Sequence, residues 1–298
     1  MFMMRKVIFI FAAVIAFLYF SVILFIFSPI NDSKNVYYGN NYVGPLGLRL
    51  VPSVNWCKEL HWRSPPLPYA VALVSYPGSG NTWLRYLLQQ VTGILTGSIY
   101  MDFGLKVHGF PAENVTDGSV LVVKTHEAPP LEPDKFKSAV LLIRNPRDAI
   151  LADFNRLHKG HIGTAPKSAF KKRSRERKKT DWSSYVTIQL RTWESLHDLW
   201  LTKFPGPAYI VFYETLVKDT RKTLQGILNF LNYTFTERDM NCALTHKEGI
   251  YRRKKKLQDF DPFTQDMYRQ IEIVKTRVIN NIRIYRKKHN ESDIFELL

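Results

Sequence analysis

The sequence SYPGSGNTW, residues 75–83, joins a short apolar stretch at residues 70–74 to a helical pattern over residues 82–91. A strand that enters a helix through a glycine-rich turn points several backbone N–H groups at one place, and an anion binds there. A Walker A loop has lysine where this loop has Asn81, which argues against a nucleotide kinase or NTPase. The stretch predicts a phosphate-binding loop, with an ordinary strand-turn-helix as the alternative.

Short β-branched stretches alternate with helical patterns along the rest of the chain. Apolar strands separated by helices are typical of a parallel sheet that is covered on both faces. We therefore predict an α/β fold in a single domain over residues 68–298. The predicted strands are residues 70–74, 120–123, 139–143 and 209–212, and the predicted helices are residues 82–91, 146–157, 184–203 and 216–231.

The N-terminal part of the chain carries an apolar run over residues 7–27. At about 1.5 Å per residue this run is long enough to cross a bilayer, and it lacks the small-residue cleavage site of a signal peptide. Arg5 and Lys6 precede it, so the positive-inside rule places residues 1–6 in the cytosol. We expect a single-pass type II membrane anchor, then a turn-rich stem over residues 28–67, then a lumenal domain.

The 298 residues include 42 Lys and Arg against 26 Asp and Glu, which gives a formal net charge of +16 and favours anionic partners. A lumenal domain argues against nucleic acid and for a glycan or glycoprotein as that partner. Sequons at Asn114, Asn232 and Asn290 fit such a compartment. The two cysteines, Cys57 and Cys242, either form one disulfide or stay as two buried thiols.

Two further blocks end predicted strands with basic residues. The block VVKTH, residues 122–126, places Lys124 and His126 two residues apart, and a histidine that titrates near working pH can take a proton from an acceptor hydroxyl. The block LLIRNPRD, residues 141–148, places Arg144 at a strand-to-helix junction, where a guanidinium can bind phosphate through two bonds. A strand-end histidine can equally be an ordinary hydrogen-bonded side chain. No cluster has metal-ligand spacing, so no metal is expected.

Together these blocks resemble the sulfotransferase superfamily, whose loop is typically Y-P-[KR]-S-G-[TN]-T-W and whose second block is K-[ST]-H. The form Gly-Ser-Gly-Asn-Thr-Trp, with Thr92-Gly93 and Thr96-Gly97-Ser98 after it, is similar to the sulfotransferase half of WSC-domain-containing sulfotransferase-like proteins. The resemblance covers residues 67–267, and no WSC domain is expected because the stem is short and the cysteines are few. It implies a P-loop NTPase-like parallel sheet and a sulfuryl donor, PAPS (3′-phosphoadenosine 5′-phosphosulfate).

The resemblance also implies roles for single residues. His126 is the general base, Lys124 helps to hold the 5′-phosphosulfate, and Arg144 binds the 3′-phosphate. Trp83 and Tyr213 form two walls for the adenine. The other implied PAPS ligands are Gly78, Ser79, Gly80, Asn81 and Thr82 in the loop, and Arg252 and Arg253 in a basic stretch near the C-terminus.

Two positions depart from the family pattern. Gly78 stands where the loop usually carries Lys or Arg, which leaves Lys124 and Arg85 as substitute cations, and Ala152 stands where the family supplies a serine. These departures support a second hypothesis, a catalytically weak or inactive membrane-anchored protein that binds anionic glycans. The basic run KKRSRERKK, residues 171–179, is either a polyanion-binding loop on the acceptor side or a solvated insertion.

We predict a Golgi membrane sulfotransferase of type II topology that acts on a glycan hydroxyl. The resemblance implies a sialylated glycan as one acceptor, but no residue pattern selects it over a glycosaminoglycan or a glycolipid, and none indicates an oligomeric state. A nucleotide kinase is a third hypothesis, which the missing Walker lysine opposes.

Overall fold

The computed structural model describes residues 54–132, 135–160, 163–170, 181–251 and 260–289. These residues all belong to one compact unit, which spans residues 36–298. Within these ranges, no helix combines the length and the apolar character needed to cross a membrane. The predicted anchor at residues 7–27, the basic run at residues 171–179, and Arg252 and Arg253 lie outside the described residues and stay predictions.

A parallel sheet of five strands forms the centre of the described part of the chain. The strand order is β2-β3-β1-β4-β5, so the strand that leads into the glycine-rich loop is the central one. The strands are β1 (Ala70–Ser75), β2 (Gly97–Ser98), β3 (Val123–Thr125), β4 (Phe136–Ile143) and β5 (Ala208–Phe212).

Helices follow or connect the strands. In the described residues a short 3₁₀-helix, Lys167–Phe170, lies between α3 and α4. The α-helices are α1 (Asn81–Thr92), α2 (Phe103–Val107), α3 (Pro146–Lys159), α4 (Trp182–Thr202), α5 (Tyr213–Lys218), α6 (Thr220–Phe230), α7 (Glu237–Thr245) and α8 (Gln265–Lys288).

Alternate residues of β1 enter two separate hydrophobic cores. Ala72 and Val74 pack in one core with α3, α4 and α8, while Val71 and Leu73 pack in a second core with α1, α6 and α7. Because side chains alternate across a strand, helices cover both faces of the sheet. The predicted α/β fold with a parallel sheet is therefore confirmed.

Two predicted elements have different bounds in the structure. The helix expected over residues 216–231 is two helices, α5 and α6, because Asp219 leaves the helical conformation and its side chain accepts the backbone N–H of Lys222. The strand expected at residues 120–123 is Val123–Thr125, because its ladders with β1 and with β2 both begin at Val123. The predictions also lack β2, α2, α7 and α8.

Cys57 and Cys242 form a disulfide, so of the two alternatives that the sequence left open the structure shows the bridge. The bridge joins the predicted stem to α7 and spans 185 residues of sequence. The stem residues next to it also bond to the domain, since the backbone N–H of His61 donates to the Gly93 carbonyl at 2.9 Å. Residues 54–67, the last part of the predicted stem, therefore pack on the folded unit.

Candidate active site

The glycine-rich loop passes from β1 into α1 through two left-handed residues, Gly78 (φ 80°) and Gly80 (φ 92°). Gly80 precedes the first turn of α1 and provides no side-chain cap for it. Between them, Ser79 Oγ is buried and has no hydrogen-bond partner in the described part of the chain. Buried polar groups are normally paired, so this hydroxyl and the adjacent helix N-terminus fit an anionic ligand.

Asn81, at the place of a Walker lysine, fastens the helix to the sheet. Its Nδ2 donates to the Leu73 carbonyl and to Ser75 Oγ, both at 3.1 Å. These bonds fix the first turn of α1 against the end of β1. Thr82, the next residue, is partly exposed in the same turn. Asn81 thus fixes the loop to β1, while the side chain of Thr82 remains partly accessible to solvent.

His126 follows β3 and lies beside Ser75, because the parallel register pairs Val74 with Thr125. Its Nδ1 is 2.7 Å from the Ser75 carbonyl oxygen. A carbonyl only accepts, so Nδ1 carries the proton and Nε2 keeps its lone pair. Burial and the Lys124 cation lower the pKa of His126 to about 3. The imidazole is therefore neutral at physiological pH, with Nε2 available as a base.

Lys124 lies two residues before His126, so the extended chain directs both side chains to one side of the sheet. The residue is nearly enclosed, with 7% of its surface exposed. Burial, and next the charge of Arg85, lower the pKa of Lys124 to about 8. Lys124 is still mostly protonated at neutral pH. The sheet edge thus presents a cation together with a neutral base.

Arg144, after the last residue of β4, reaches across to the glycine-rich loop. Its Nη1 donates to the Gly78 carbonyl at 2.8 Å, and its guanidinium lies 4.3 Å from the ring centre of Tyr213. Its Nε is buried and has no partner in the described part of the chain. Arg144 is therefore fixed between the loop and an aromatic ring, and its Nε donor remains available for an anion.

Trp83 and Tyr213 do not form the two facing walls that the resemblance implies. Trp83 is 2% exposed, and its Nε1 donates to the Lys247 carbonyl at 2.6 Å. Its ring centre lies 5.9 Å from that of Tyr213, with the planes at 65°. A ring between two others needs about 7 Å, twice the contact distance between carbon atoms. Trp83 is a core residue in this arrangement, whereas Tyr213 packs over Gly80, whose added Cβ would lie 2.6 Å from Tyr213 Cε2.

Gly78 packs too closely on α3 to carry the cation that the family pattern has there. An added Cβ would lie 2.5 Å from the Ala149 carbonyl oxygen, 2.8 Å from the Asp153 nitrogen and 3.2 Å from Ala152 Cβ. The loop and α3 therefore meet through a glycine on one side and an alanine on the other. The two departures from the family pattern, Gly78 and Ala152, belong to one packing arrangement.

Arg85 is not available as the substitute cation, contrary to the expectation from the sequence. It is fully buried, and its Nη1 lies 2.6 Å from Glu113 Oε1. Its Nε donates to Thr96 Oγ1 at 3.0 Å, and its guanidinium lies 4.3 Å from the ring centre of Phe110. A guanidinium engaged on all these sides cannot turn to a ligand in the loop. Of the two substitutes considered, Lys124 remains.

Two groups that hold His126 were missed by the sequence reasoning. The Ser75 carbonyl fixes the imidazole tautomer, and the ring of Tyr100 stacks on the imidazole, with ring centres 5.7 Å apart and planes at 25°. A backbone carbonyl leaves no trace in a sequence. The available signal for Tyr100 is its place two residues after Thr96-Gly97-Ser98, and only the sheet shows what that place means.

Arg156 is a further cation near the site that no motif indicates. It lies on α3, and its charge lowers the pKa of both Lys124 and His126. Asp153 holds it, because Oδ1 accepts from Nε at 3.0 Å and from Nη2 at 2.7 Å. Arg156 therefore acts on the electrostatics of both motif residues from α3, although Asp153 offsets part of its charge.

The described residues include one group of possible metal ligands, Cys57, Cys242 and His246. The two sulfurs are bonded to each other, and His246 Nδ1 lies 3.7 Å from each. Cysteine binds metal as a thiolate, so the disulfide withholds two of the three ligands. This group shares no residue with the loop, with the Lys124 and His126 pair, or with Arg144.

Comparisons with known proteins identify one family to which the chain is similar. The sequence profile of the sulfotransferase domain family matches residues 68–277. A WSCD family member of Aedes aegypti is 44% identical over 263 residues, which are 80% of this chain and 81% of the relative. One of Drosophila pseudoobscura pseudoobscura is 48% identical over 261 residues, with the same coverages. A crystal structure of a mouse sulfotransferase complexed with PAP is 16% identical, with a TM-score of 0.48, over 75% of this chain and 89% of that chain.

Proposed function

The chain belongs to the sulfotransferase domain family, and from this premise we propose that it transfers a sulfuryl group from PAPS to a hydroxyl of a glycan in the secretory pathway. That the chain is a sulfotransferase enzyme follows from the family. The donor, the acceptor and the compartment are the proposal. The observation that carries it is the meeting of three features at one edge of the sheet: an anion-binding loop, a cation and a neutral base.

The residues at this edge fit PAPS, which supplies the activated sulfuryl group. Ser79 Oγ and Arg144 Nε are buried donors with no partner in the described part of the chain, and both can bind phosphate oxygens. The loop from Gly78 to Thr82 and Lys124 would hold the 5′-phosphosulfate, and Arg144 the 3′-phosphate. Arg252 and Arg253 are proposed to close over the 3′-phosphate.

The adenine contact is assigned to one wall rather than two. Tyr213 lies against Gly80 on one side and the Arg144 guanidinium on the other, so its ring adjoins both proposed phosphate sites. Trp83 would have to leave its core position and its bond to the Lys247 carbonyl before it could face the adenine. We assign Tyr213 to the adenine contact, and we assign Trp83 to the hydrophobic core next to the loop.

His126 and Lys124 have complementary tasks in the transfer. Nε2 of His126 takes the proton of the acceptor hydroxyl as its oxygen attacks sulfur. Lys124 stabilises the negative charge that grows on the departing phosphate, which is the task of the cation absent at Gly78. Removal of one such electrostatic contact typically costs about 3 kcal/mol of transition-state stabilisation. Because the loop supplies no second cation here, Lys124 provides a larger share of that stabilisation than it would beside a loop lysine or arginine.

The proposed Golgi location and single-pass type II topology have three supports. The apolar run at residues 7–27 has the length of a membrane span. The disulfide between Cys57 and Cys242 suits an oxidising compartment. Asn114 and Asn232, both in sequons, are exposed. A glycan or glycoprotein acceptor follows from that compartment and from the net charge of +16.

A transfer assay tests the proposed function. The full chain, solubilised in detergent, is incubated with radiolabelled PAPS and a panel of sialylated glycans, glycosaminoglycans and glycolipids, with His126→Ala as the matched control. We expect label on a glycan hydroxyl with the wild-type chain and none with His126→Ala. This variant should still bind PAP, the nucleotide that remains when PAPS has lost its sulfuryl group. PAP binding without transfer to any glycan would refute the proposed acceptor class and favour the anionic-glycan-binding hypothesis.

A further inference from the structure

Tyr100 touches both groups of the proposed catalytic pair. Its ring stacks on the His126 imidazole, with ring centres 5.7 Å apart and an angle of 25° between the planes. On the same ring, the centre lies 5.7 Å from Lys124 Nζ, within the range of a cation–π contact. Its hydroxyl accepts the backbone N–H of His126 at 3.0 Å and donates to Glu127 Oε1 at 3.3 Å.

The backbone around Tyr100 is fixed by the sheet. β2 pairs with β3 so that Ser98 lies opposite Lys124, and the N–H of Ile99 donates to the Lys124 carbonyl at 3.0 Å. The N–H of Tyr100 donates to Ser98 Oγ at 3.0 Å, and its carbonyl accepts from the N–H of Asn114 at 3.0 Å. Tyr100 therefore cannot move away from β3 without breaking the edge of the sheet.

The hydroxyl of Tyr100 stays protonated, because burial raises the pKa of Tyr100 to about 12. It can then accept one hydrogen bond and donate another, as the contacts with His126 and Glu127 require. The ring also shields one face of the imidazole from water. A second constraint on the imidazole comes from the Ser75 carbonyl oxygen, which accepts a hydrogen bond from Nδ1–H with the two heavy atoms 2.7 Å apart.

We propose that Tyr100 is a positioning residue, which holds the imidazole of His126 by stacking and steadies the ammonium of Lys124 over the same ring. This inference rests on the proposed function, in which His126 is the base and Lys124 the cation. Tyr100 makes no contact with the reacting atoms in this assignment. Its effect passes through the orientation of Nε2 and the exclusion of water from the imidazole.

Variants at Tyr100 separate the ring from the hydroxyl. Tyr100→Phe keeps the ring and removes the bond to the His126 backbone, so we expect kcat to fall about threefold. Tyr100→Leu removes the ring, and a displacement of the base of about 1 Å should lower kcat about a hundredfold. The dissociation constant for PAP should stay within about twofold in Tyr100→Phe, because the ring beside Lys124 remains. In Tyr100→Leu that constant should rise far less than kcat falls, because Lys124 keeps its charge without the ring.

A direct measurement on His126 accompanies the kinetics. Lys124, Arg156 and Arg85 are cations that act on this imidazole and favour its neutral form, and the nearby carboxylate of Glu127 accepts from the Tyr100 hydroxyl. NMR titration of the full chain with labelled histidine, assigned with His126→Asn, should show a pKa that rises in Tyr100→Leu, because water reaches the exposed face. Tyr100→Phe should keep the wild-type pKa. Tyr233→Leu, at another partly buried tyrosine, is the matched control and should change neither kcat nor this pKa.

The outcomes distinguish this inference from the proposed function. If the wild-type chain transfers no sulfuryl group but the His126 pKa responds as expected, the proposed function fails and the hold of Tyr100 on His126 stands. If transfer occurs and Tyr100→Leu leaves kcat within threefold and the pKa unchanged, Tyr100 is not a positioning residue. Equal losses in Tyr100→Phe and Tyr100→Leu would also overturn the role of the ring. Should Tyr100→Leu fail to fold, Tyr100→Met replaces it in both measurements.

Discussion

Burial acts on His126 and Lys124 with different results. It lowers the pKa of both, yet His126 starts near neutrality and becomes a fully neutral base, while Lys124 starts far above it and stays mostly charged. The cation reinforces the neutrality of the base. Each side chain is thus in the protonation state that the proposed sulfuryl transfer needs before any substrate arrives, and a bound anionic donor would raise both pKa values from these lowered levels.

The charge of Lys124 should give the affinity for PAP a pH dependence. Protonated Lys124 attracts the anion, and its pKa in the free protein is about 8. Affinity should be full below that pH and should weaken as the pH rises through it. Calorimetric titration on both sides of pH 8 measures this. Lys124→Arg keeps its charge throughout and should give a flat profile in the same range; a wild-type profile as flat as that of Lys124→Arg would contradict the assignment.

Arg144 should discriminate between nucleotides by their 3′-phosphate. Arg144→Gln is expected to weaken PAP binding by about 1.5–3 kcal/mol, the range for hydrogen bonds to a charged group, and to leave an analogue without the 3′-phosphate nearly unaffected. Arg147→Gln is the matched control, because Arg147 bonds to Tyr268 and Asp148 and away from the loop. Equal losses for both nucleotides would place the 3′-phosphate site elsewhere.

The motif residues could be predicted from the sequence, whereas the residues that act through packing could not. Lys124, His126 and Arg144 stand at the ends of strands, where their spacing from the loop indicates a shared edge. The sequence could not show that Arg85 pairs with Glu113, because 28 residues separate them. Nor could it show that Trp83 is a core residue, since an aromatic side chain suits a core and a stacking wall equally well.

The close packing of Gly78 on α3 predicts that a larger side chain at this position destabilises the fold. Gly78→Lys would restore the cation of the family pattern, but φ is 80° there and the new Cβ would lie 2.5 Å from the Ala149 carbonyl oxygen. Backbone strain alone costs about 1–3 kcal/mol, and the clash adds to it. We expect a lower Tm and no gain in kcat.

Ser79→Ala is the matched control for Gly78→Lys, one residue along the same loop. It removes a buried hydroxyl that has no partner among the described residues, so the Tm should stay and PAP affinity should fall. Thermal unfolding and PAP titration of both variants decide the matter. A Gly78→Lys chain with the wild-type Tm and faster turnover would show that the loop can leave α3 without cost.

Elements that carry a local sequence pattern were predicted close to their observed bounds, and elements that depend on distant partners were missed. β1, β4, β5, α1, α3 and α4 carry continuous apolar runs or periodic patterns, and each lies close to its predicted bounds. β2 has only Gly97–Ser98 and exists because β3 pairs with it, so no local pattern could reveal it. α8 is different, because its buried residues recur at steps of three and four from Met267 to Tyr285, the spacing of an amphipathic helix. That helix could have been predicted from the sequence.

Across the whole molecule, α1 is tied to both ends of the disulfide. Gln90 accepts the N–H of Cys57 at 2.8 Å and donates to the Asn55 carbonyl at 2.9 Å. Tyr86 donates to the carbonyl of His246, in the turn that follows Cys242, at 2.7 Å. The helix that opens at the phosphate-binding loop is therefore braced at its far end by a bridge between distant parts of the chain. The sequence left open whether the two cysteines pair, and neither the bridge nor the hydrogen bonds to α1 could be predicted without the fold.

Loss of the bridge should lower stability and spare nucleotide binding. The loop-entropy model gives up to about 5 kcal/mol for a bridge over so many residues, so the double variant Cys57→Ser, Cys242→Ser should unfold at a clearly lower temperature. The hydrogen bonds of Gln90 and Tyr86 do not involve the sulfurs, so α1 should keep its place and PAP affinity should stay within about twofold.

Thermal unfolding and PAP titration of the detergent-solubilised full chain measure the stability and the affinity. Intact mass after alkylation without reductant should show no modified cysteine in the wild type. Two alkylated cysteines in the native chain would exclude the bridge, and an unchanged Tm in the double variant would show that the contacts of residues 54–67 suffice to hold the stem.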